Sequence, residues 1–151
     1  MKQALKNSHN DIWRSVADVS KLWYRLAEKQ LSLIGITLSE LRALRFLSEH
    51  GSCSMVTLAR DQLMTPGGMT GLVDHLEGQN LIRRIRSDSD RRIINIEITK
   101  EGERVINRAV SVYQQFMEKS LENLDEEEIQ TFLRIVKKMI LSGQRRESLV
   151  A

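Results

Sequence analysis

Apolar side chains change their spacing twice along this chain, and each change marks a different kind of element. Over residues 10–33 the spacing is helical: Ile12, Val16, Val19, Trp23 and Leu26 follow one another in steps of four, three, four and three, the seam of a helix that packs along another helix. Trp13, Leu22 and Tyr24 widen that seam, so the helix needs cover on more than one side, which in a chain this short implies a second subunit. Gly35 ends it. Thr37-Leu38-Ser39-Glu40 is a capping box and opens a helix carrying Leu41, Leu44, Phe46 and Leu47, which stops at Gly51. Ser52-Cys53-Ser54 reads as a short extended link, and Ser54 caps a brief helix with Val56, Leu58, Ala59 and Leu63.

Residues 65–77 form the stretch around which the rest is arranged. Thr65 is placed to cap a helix and Pro66 suits its first position, where no N–H is needed. Met69, Leu72, Val73 and Leu76 make one apolar stripe, and Gly67, Thr70, Gly71, Asp74 and His75 share a small polar face. Glycine early in a helix costs roughly 1 kcal/mol relative to alanine. Close approach of the backbone to a partner surface is the usual compensation. The helix runs out at Gly78-Gln79-Asn80.

From Leu81 the period shortens. Leu81-Ile82-Arg83-Arg84-Ile85-Arg86 is one strand candidate and Arg92-Ile93-Ile94-Asn95-Ile96-Glu97-Ile98 another, with Ser87-Asp88-Ser89-Asp90-Arg91 as the polar turn between them. Thr99 caps a further helix to about residue 121, striped by Val105, Ala109, Val112 and Phe116 with Ile106, Tyr113 and Met117 alongside. Asp125, with Glu128 three residues on, starts a last helix through Leu141. Its apolar face is Ile129, Phe132, Leu133, Val136, Met139 and Ile140, and residues 144–151 read as a frayed tail. Glu126, Glu127 and Glu128 at its start and Lys137 and Lys138 near its end suit the helix dipole.

Three short helices followed by a hairpin predict a winged helix-turn-helix. The expected fold is mostly α with a small β-wing: a winged helix-turn-helix lobe over residues 37–99, dimerisation helices at 1–36 and 122–151 forming a helical platform, and a linking helix over 100–121.

Composition narrows the classes. With 151 residues, 41% hydrophobic and 28% charged, the chain is globular, as one domain or as a domain sharing a core with a twin. A single cysteine excludes an internal disulfide. The polar N-terminus lacks the apolar run of a signal peptide, and no segment approaches the roughly 20 apolar residues of a membrane span. These features predict a cytoplasmic protein with no membrane partner. A net charge of +3 means little until the charges are placed. Arg83, Arg84, Arg86, Arg91 and Arg92 fall within ten residues, against Asp88 and Asp90. An arginine-rich ribbon directly after a helix with a small polar face is a footprint for double-stranded DNA. The helix would enter the major groove, and the wing would follow the backbone or reach the adjacent minor groove.

Catalysis finds no such support. His9, His50 and His75 lack metal-ligand spacing and there is no cysteine pair. Asp88 and Asp90 suit turn bonds better than a cation, and no glycine-rich loop follows a strand. Cys53 reads as a small, half-buried thiol. No enzyme activity, metal or cofactor is expected. The competing class is a winged-helix protein-interaction module, which would bind DNA weakly and without regard to sequence.

The run Leu58-Ala59, Met64-Thr65-Pro66-Gly67-Gly68-Met69-Thr70, Leu72-Val73-Asp74-His75-Leu76-Glu77, Leu81-Ile82-Arg83-Arg84, Asp88-Ser89-Asp90-Arg91-Arg92 and Ile98-Thr99-Lys100-Glu101-Gly102 resembles the MarR family of bacterial and archaeal transcription regulators. The likeness covers nearly the whole chain. It implies an obligate homodimer with interlocking first and last helices, and two lobes on a palindromic operator. Carried over, it makes Thr65, Gly67, Gly68, Thr70, Gly71 and His75 recognition-helix positions. Arg92 becomes the wing arginine near the minor groove and Asp90 the acid that orients it. Arg84 and Arg91 become phosphate contacts, and Asp74 a partner for a wing arginine that steadies the lobe. Asn80 stands where the family usually has glycine; asparagine tolerates the left-handed conformation required there. The reactive N-terminal cysteine of peroxide-sensing members has no counterpart, since Cys53 lies elsewhere. The chain is expected to be a repressor, and many members release DNA when a small, often aromatic or phenolic, effector binds between lobe and platform. Trp13, Trp23 and Tyr24 are the candidates to line such a crevice, with dimer core as the simpler use of all three.

Overall fold

The computed structural model describes the backbone of residues 2–86 and 94–150 and the side chains of 8–86 and 94–146. The chain divides into two compact units, Met1–Phe116 and Met117–Ala151. The first contains α1 (Lys2–Ser32), α2 (Leu38–His50), β1 (Cys53–Ser54), α3 (Met55–Asp61), α4 (Pro66–Gly78), β2 (Ile82–Arg86), β3 (Ile94–Ile98) and most of α5 (Lys100–Ser120). The second contains α6 (Glu126–Val150).

The core of the first unit gathers one stripe from each element. Leu44 and Leu47 of α2, Leu58 of α3, Met69, Val73 and Leu76 of α4, Ile82 and Ile96 of the sheet, and Ile106 and Ala109 of α5 are buried in one cluster, which Ala27 and Leu31 of α1 join. The sheet is antiparallel with strand order β1-β3-β2. β1 corrects the reading of residues 52–54 as a plain link: Cys53 lies opposite Ile96 and Ser54 opposite Asn95. Two residues are too few to show alternation, so only the pairing partner reveals the strand.

The turns after α1, α3 and α4 close in the same way. Ile36 N–H reaches the Leu31 carbonyl, Met64 N–H the Ala59 carbonyl and Leu81 N–H the Leu76 carbonyl, at 3.3, 3.0 and 3.0 Å. The residue before each sits at positive φ: Gly35 at +76°, Leu63 at +51° and Asn80 at +59°. These are Schellman closures, which consume carbonyls that a helix end would otherwise leave unpaired. They also correct the placement of Leu63 on a helix, because α3 ends at Asp61 and Leu63 occupies the left-handed position, 94% exposed. Val56, expected on the packed face of α3, is also exposed.

The Thr99-Lys100-Glu101-Gly102 segment ties α5 to the end of α4. Thr99 Oγ1 accepts the Gly102 N–H at 3.1 Å and donates to the Asn80 carbonyl at 2.7 Å. A Cβ on Gly102 would stand 2.1 Å from the Leu81 carbonyl oxygen and 2.7 Å from Ile98 Cγ1, so only glycine permits this approach.

Two helix limits differ from the apolar pattern. α1 begins at Lys2 rather than near residue 10, and α6 continues to Val150 where a frayed tail was expected beyond Leu141. Apolar periodicity marks where a helix packs, while good helix formers such as Lys, Gln, Arg and Ala extend it past the packed part. In the second unit, Asp125 and Glu128 cap α6 reciprocally at 2.9 and 3.0 Å, and Phe132, Leu133, Ile135, Ile140 and Leu141 are exposed.

Candidate nucleic-acid interface

The N-terminal half of α4 is open. Thr65 Oγ1 accepts the Gly68 N–H at 3.2 Å, with Pro66 in the first turn. Met69, Val73 and Leu76 anchor the helix from below, while Thr65, Gly67, Gly68, Thr70 and Gly71 are all exposed. Thr70 Oγ1 donates back to the Pro66 carbonyl at 3.0 Å. A Cβ on Gly67 or Gly71 would meet nothing within 4 Å, and neither glycine has a positive φ. Neither packing nor backbone conformation within the unit therefore asks for glycine at these two positions. Gly68 differs, because its Cβ would press on Thr65 Oγ1 at 3.2 Å and disturb the cap.

The C-terminal half of α4 is tied down instead. Arg84, on the face of β2 turned towards α4, bridges Asp74 Oδ1 at 2.5 Å and Glu77 Oε2, and Glu77 Oε1 also accepts the Arg84 backbone N–H at 3.1 Å. The hydrogen bond that Arg84 donates to Asp74 contributes most to raising the Arg84 pKa above its usual value, against partial burial and with help from Glu77. His75 Nε2 lies 3.0 Å from Glu40 Oε1 of α2 and 3.0 Å from Gln79 Nε2. Of the expected site residues, Asp74 thus has its wing arginine, and that arginine is Arg84. Arg84 and His75 are each engaged within the lobe.

The arginine cluster of the wing is correspondingly less uniform than its sequence. Arg83 pairs with Glu97 directly across the sheet, with Nε 2.7 Å from Oε2, on the face opposite Arg84. Arg86 is exposed and makes no ion pair among the described residues. Arg91, Arg92, Asp88 and Asp90 lie outside the described residues. Among the described hairpin arginines, Arg83 and Arg84 are paired and Arg86 is not.

On α1, Trp13 and Tyr24 are 69% and 49% exposed and Trp23 is half-buried. Ten residues of helix separate Trp13 from Trp23, about 15 Å of rise, more than one small aromatic ligand spans. Burial, with Asp61 nearby, pushes the Cys53 thiol up, which keeps it protonated and a poor nucleophile. Among the described residues no group of three or more His, Cys, Asp or Glu is placed to hold a metal, and no helix is long and apolar enough to cross a membrane. Sequence reasoning found Glu40 only as a cap. Its second partner is remote in the chain, and nothing in the local sequence announces the contact.

Known proteins place this architecture. Residues 36–94 match the sequence profile of the MarR family. The uncharacterized HTH-type transcriptional regulator YwhA of Bacillus subtilis is 31% identical over 96 residues, 64% of this chain and 69% of YwhA. The chain belongs to the MarR family. It is therefore a DNA-binding transcriptional regulator with a winged helix-turn-helix, and the family is not one of enzymes. The HTH-type transcriptional repressor MdtR of Bacillus subtilis is 30% identical over 113 residues, 75% of this chain and 73% of MdtR. The MarR fold extends beyond the matched segment. A cysteine-to-serine variant of Escherichia coli MarR, crystallised with operator DNA, superposes with a TM-score of 0.78 over 88% of this chain and 96% of that one, at 21% identity.

Proposed function

We propose that this MarR-family chain is a repressor that acts as a homodimer on a palindromic operator, with the exposed N-terminal half of α4 in the major groove. The observation that carries the reading is the pair Gly67 and Gly71, glycines that nothing inside the unit requires and that leave clearance for a closely approaching surface. Thr65, Gly67, Gly68, Thr70 and Gly71 are the contact positions, at the positive end of the helix dipole. Arg91 is assigned to phosphate and Arg92 to the adjacent minor groove, oriented by Asp90, as the family likeness implies. Arg84, held by Asp74 and Glu77, is assigned to fixing the wing on α4.

The dimer rests on apolar surface. Ile12, Trp13, Val16, Leu22 and Leu26 of α1 are all exposed in a single copy, more than a water-facing helix carries. Residues 1–36 and 122–151 are accordingly assigned to the dimer platform, 37–99 to the DNA-binding lobe and 100–121 to the connection. Repression follows MdtR, and the operator follows the MarR complex. A small aromatic or phenolic effector would act by favouring a different spacing of the two lobes, with Trp23 and Tyr24 as its contacts and Trp13 in the dimer face. A cytoplasmic setting suits such a role.

The test is a gel shift with DNA from the intergenic region upstream of the chain's own gene. Binding there is expected to be at least about a thousandfold tighter than to random duplex at physiological salt. Equal affinity would favour a winged-helix interaction module instead. Arg92→Ala should weaken the specific complex by about 1–3 kcal/mol, with the dimer unchanged by sedimentation.

A further inference from the structure

Glu40 is the one buried charged side chain among the described residues, 4% exposed. One carboxylate oxygen, Oε2, accepts the Thr37 N–H at 2.7 Å and closes the capping box of α2. A glutamine would serve that cap as well, so capping alone does not explain a buried charge. The other oxygen, Oε1, faces His75 Nε2 at 3.0 Å. A carboxylate withdrawn from water is costly to leave without partners, so the side chain from α4 matters to α2 as much as the reverse. The same end of α2 is tied to α1, where Glu28 Oε1 accepts the Leu38 N–H at 3.1 Å. Contacts therefore run from α1 through the start of α2 to α4, all within one compact unit.

We infer that Glu40 is a positioning residue for the recognition helix: by holding His75 it fixes the rotation of α4 about its axis, and with it the direction in which the glycine face points. His75 is one helical turn beyond Gly71, on the same side of the helix. A rotation that releases His75 from Glu40 also swings Gly71 and Gly67 away from their bearing. This assignment makes His75 an anchor at the margin of the DNA-facing surface rather than a reader of bases. It rests on the proposal that the outer face of α4 meets DNA.

A double-mutant cycle separates the two roles of His75. Glu40→Met removes the oxygen that faces His75, together with the capping acceptor, while keeping the side chain's length. His75→Ala in the wild-type background leaves Glu40 short of a partner and is expected to lower the operator-to-random affinity ratio about tenfold, a usual size for coupled neighbours. In the Glu40→Met background the same change is expected to cost less than about threefold. Equal losses in both backgrounds would mean that His75 touches DNA directly and would overturn the inference, as would no loss in either. Urea midpoints on the four proteins report whether each is folded. A wild-type chain that shows no preference for its upstream DNA overturns the DNA reading of α4, and this inference with it.

Discussion

The two halves of α4 share one buried stripe but differ in their outward residues and in what those residues do. From Thr65 to Gly71 the outward side chains are small, exposed and turned back on the helix itself, as Thr65 and Thr70 are. From Asp74 onward each ionisable side chain reaches a different element: Asp74 and Glu77 reach Arg84 on β2, and His75 reaches Glu40 on α2. One end of the helix is tied by three side chains to two elements, and the other is left clear. A surface that must meet a rigid duplex needs both, since clearance without anchorage gives no register and anchorage without clearance gives no contact. A helix free to rock would lose binding free energy to the ordering of its own contacts.

The largest expected effect breaks the anchored side at its root. Gly102→Ala places a Cβ against the Leu81 carbonyl, immediately beyond the end of α4, and relief requires moving backbone. A loss of about 3 kcal/mol is expected, read as a lower urea midpoint. A midpoint within error of the wild type would show that α5 shifts freely. Arg84→Met removes the tie between wing and α4 while keeping much of the side chain's packing. Both carboxylates are partly solvated, so stability should fall by only about 1 kcal/mol, and operator affinity should fall with it because the wing loses its bearing. Stability that holds while affinity collapses would instead give Arg84 a direct contact with DNA.

The smallest change in stability is the most discriminating, because stability and binding move in opposite directions. Gly71→Ala meets no atom within 4 Å and should stabilise the free protein by roughly 0.5–1 kcal/mol. It should also weaken the operator complex about tenfold, near 1.4 kcal/mol, by filling the clearance. A variant that gains stability and binds as before would show that the open face is not the contact.

Much of this was legible because it is local. Thr37 with Glu40, Ser54, Thr65, Thr99 and Asp125 with Glu128 are caps whose partners lie within three residues, and Gly51 and Asn80 mark helix ends by the same logic. The stripe of Met69, Val73 and Leu76 predicted the buried face of α4. What escaped is what depends on chain segments far apart. β1 exists only because β3 lies beside it. Leu63 carries no sign of a left-handed turn, which costs it about 1 kcal/mol and is held by the Met64 and Leu63 backbone bonds. The arginine run of the hairpin gave no hint that Arg83 is paired, nor that Arg84 is the arginine Asp74 holds, because alternation sends one to Glu97 and the other to α4.

By itself, then, the sequence determined the order of helices, their caps, the recognition helix with its glycine face, and the hairpin that follows it. Each of these is set by the nearest few residues through backbone hydrogen bonding and apolar period. Tertiary structure decided which polar groups are spent and which are offered. Along the chain Glu40 reads as a cap, Arg84 and His75 as DNA contacts and Asp74 as the partner of some wing arginine; only the packing of α2 and the wing on α4 joins them, with Glu77, into ties between these elements. The physical reason is range: an apolar stripe needs only its own helix to be recognised, whereas a salt bridge needs a partner that folding brings from elsewhere in the chain.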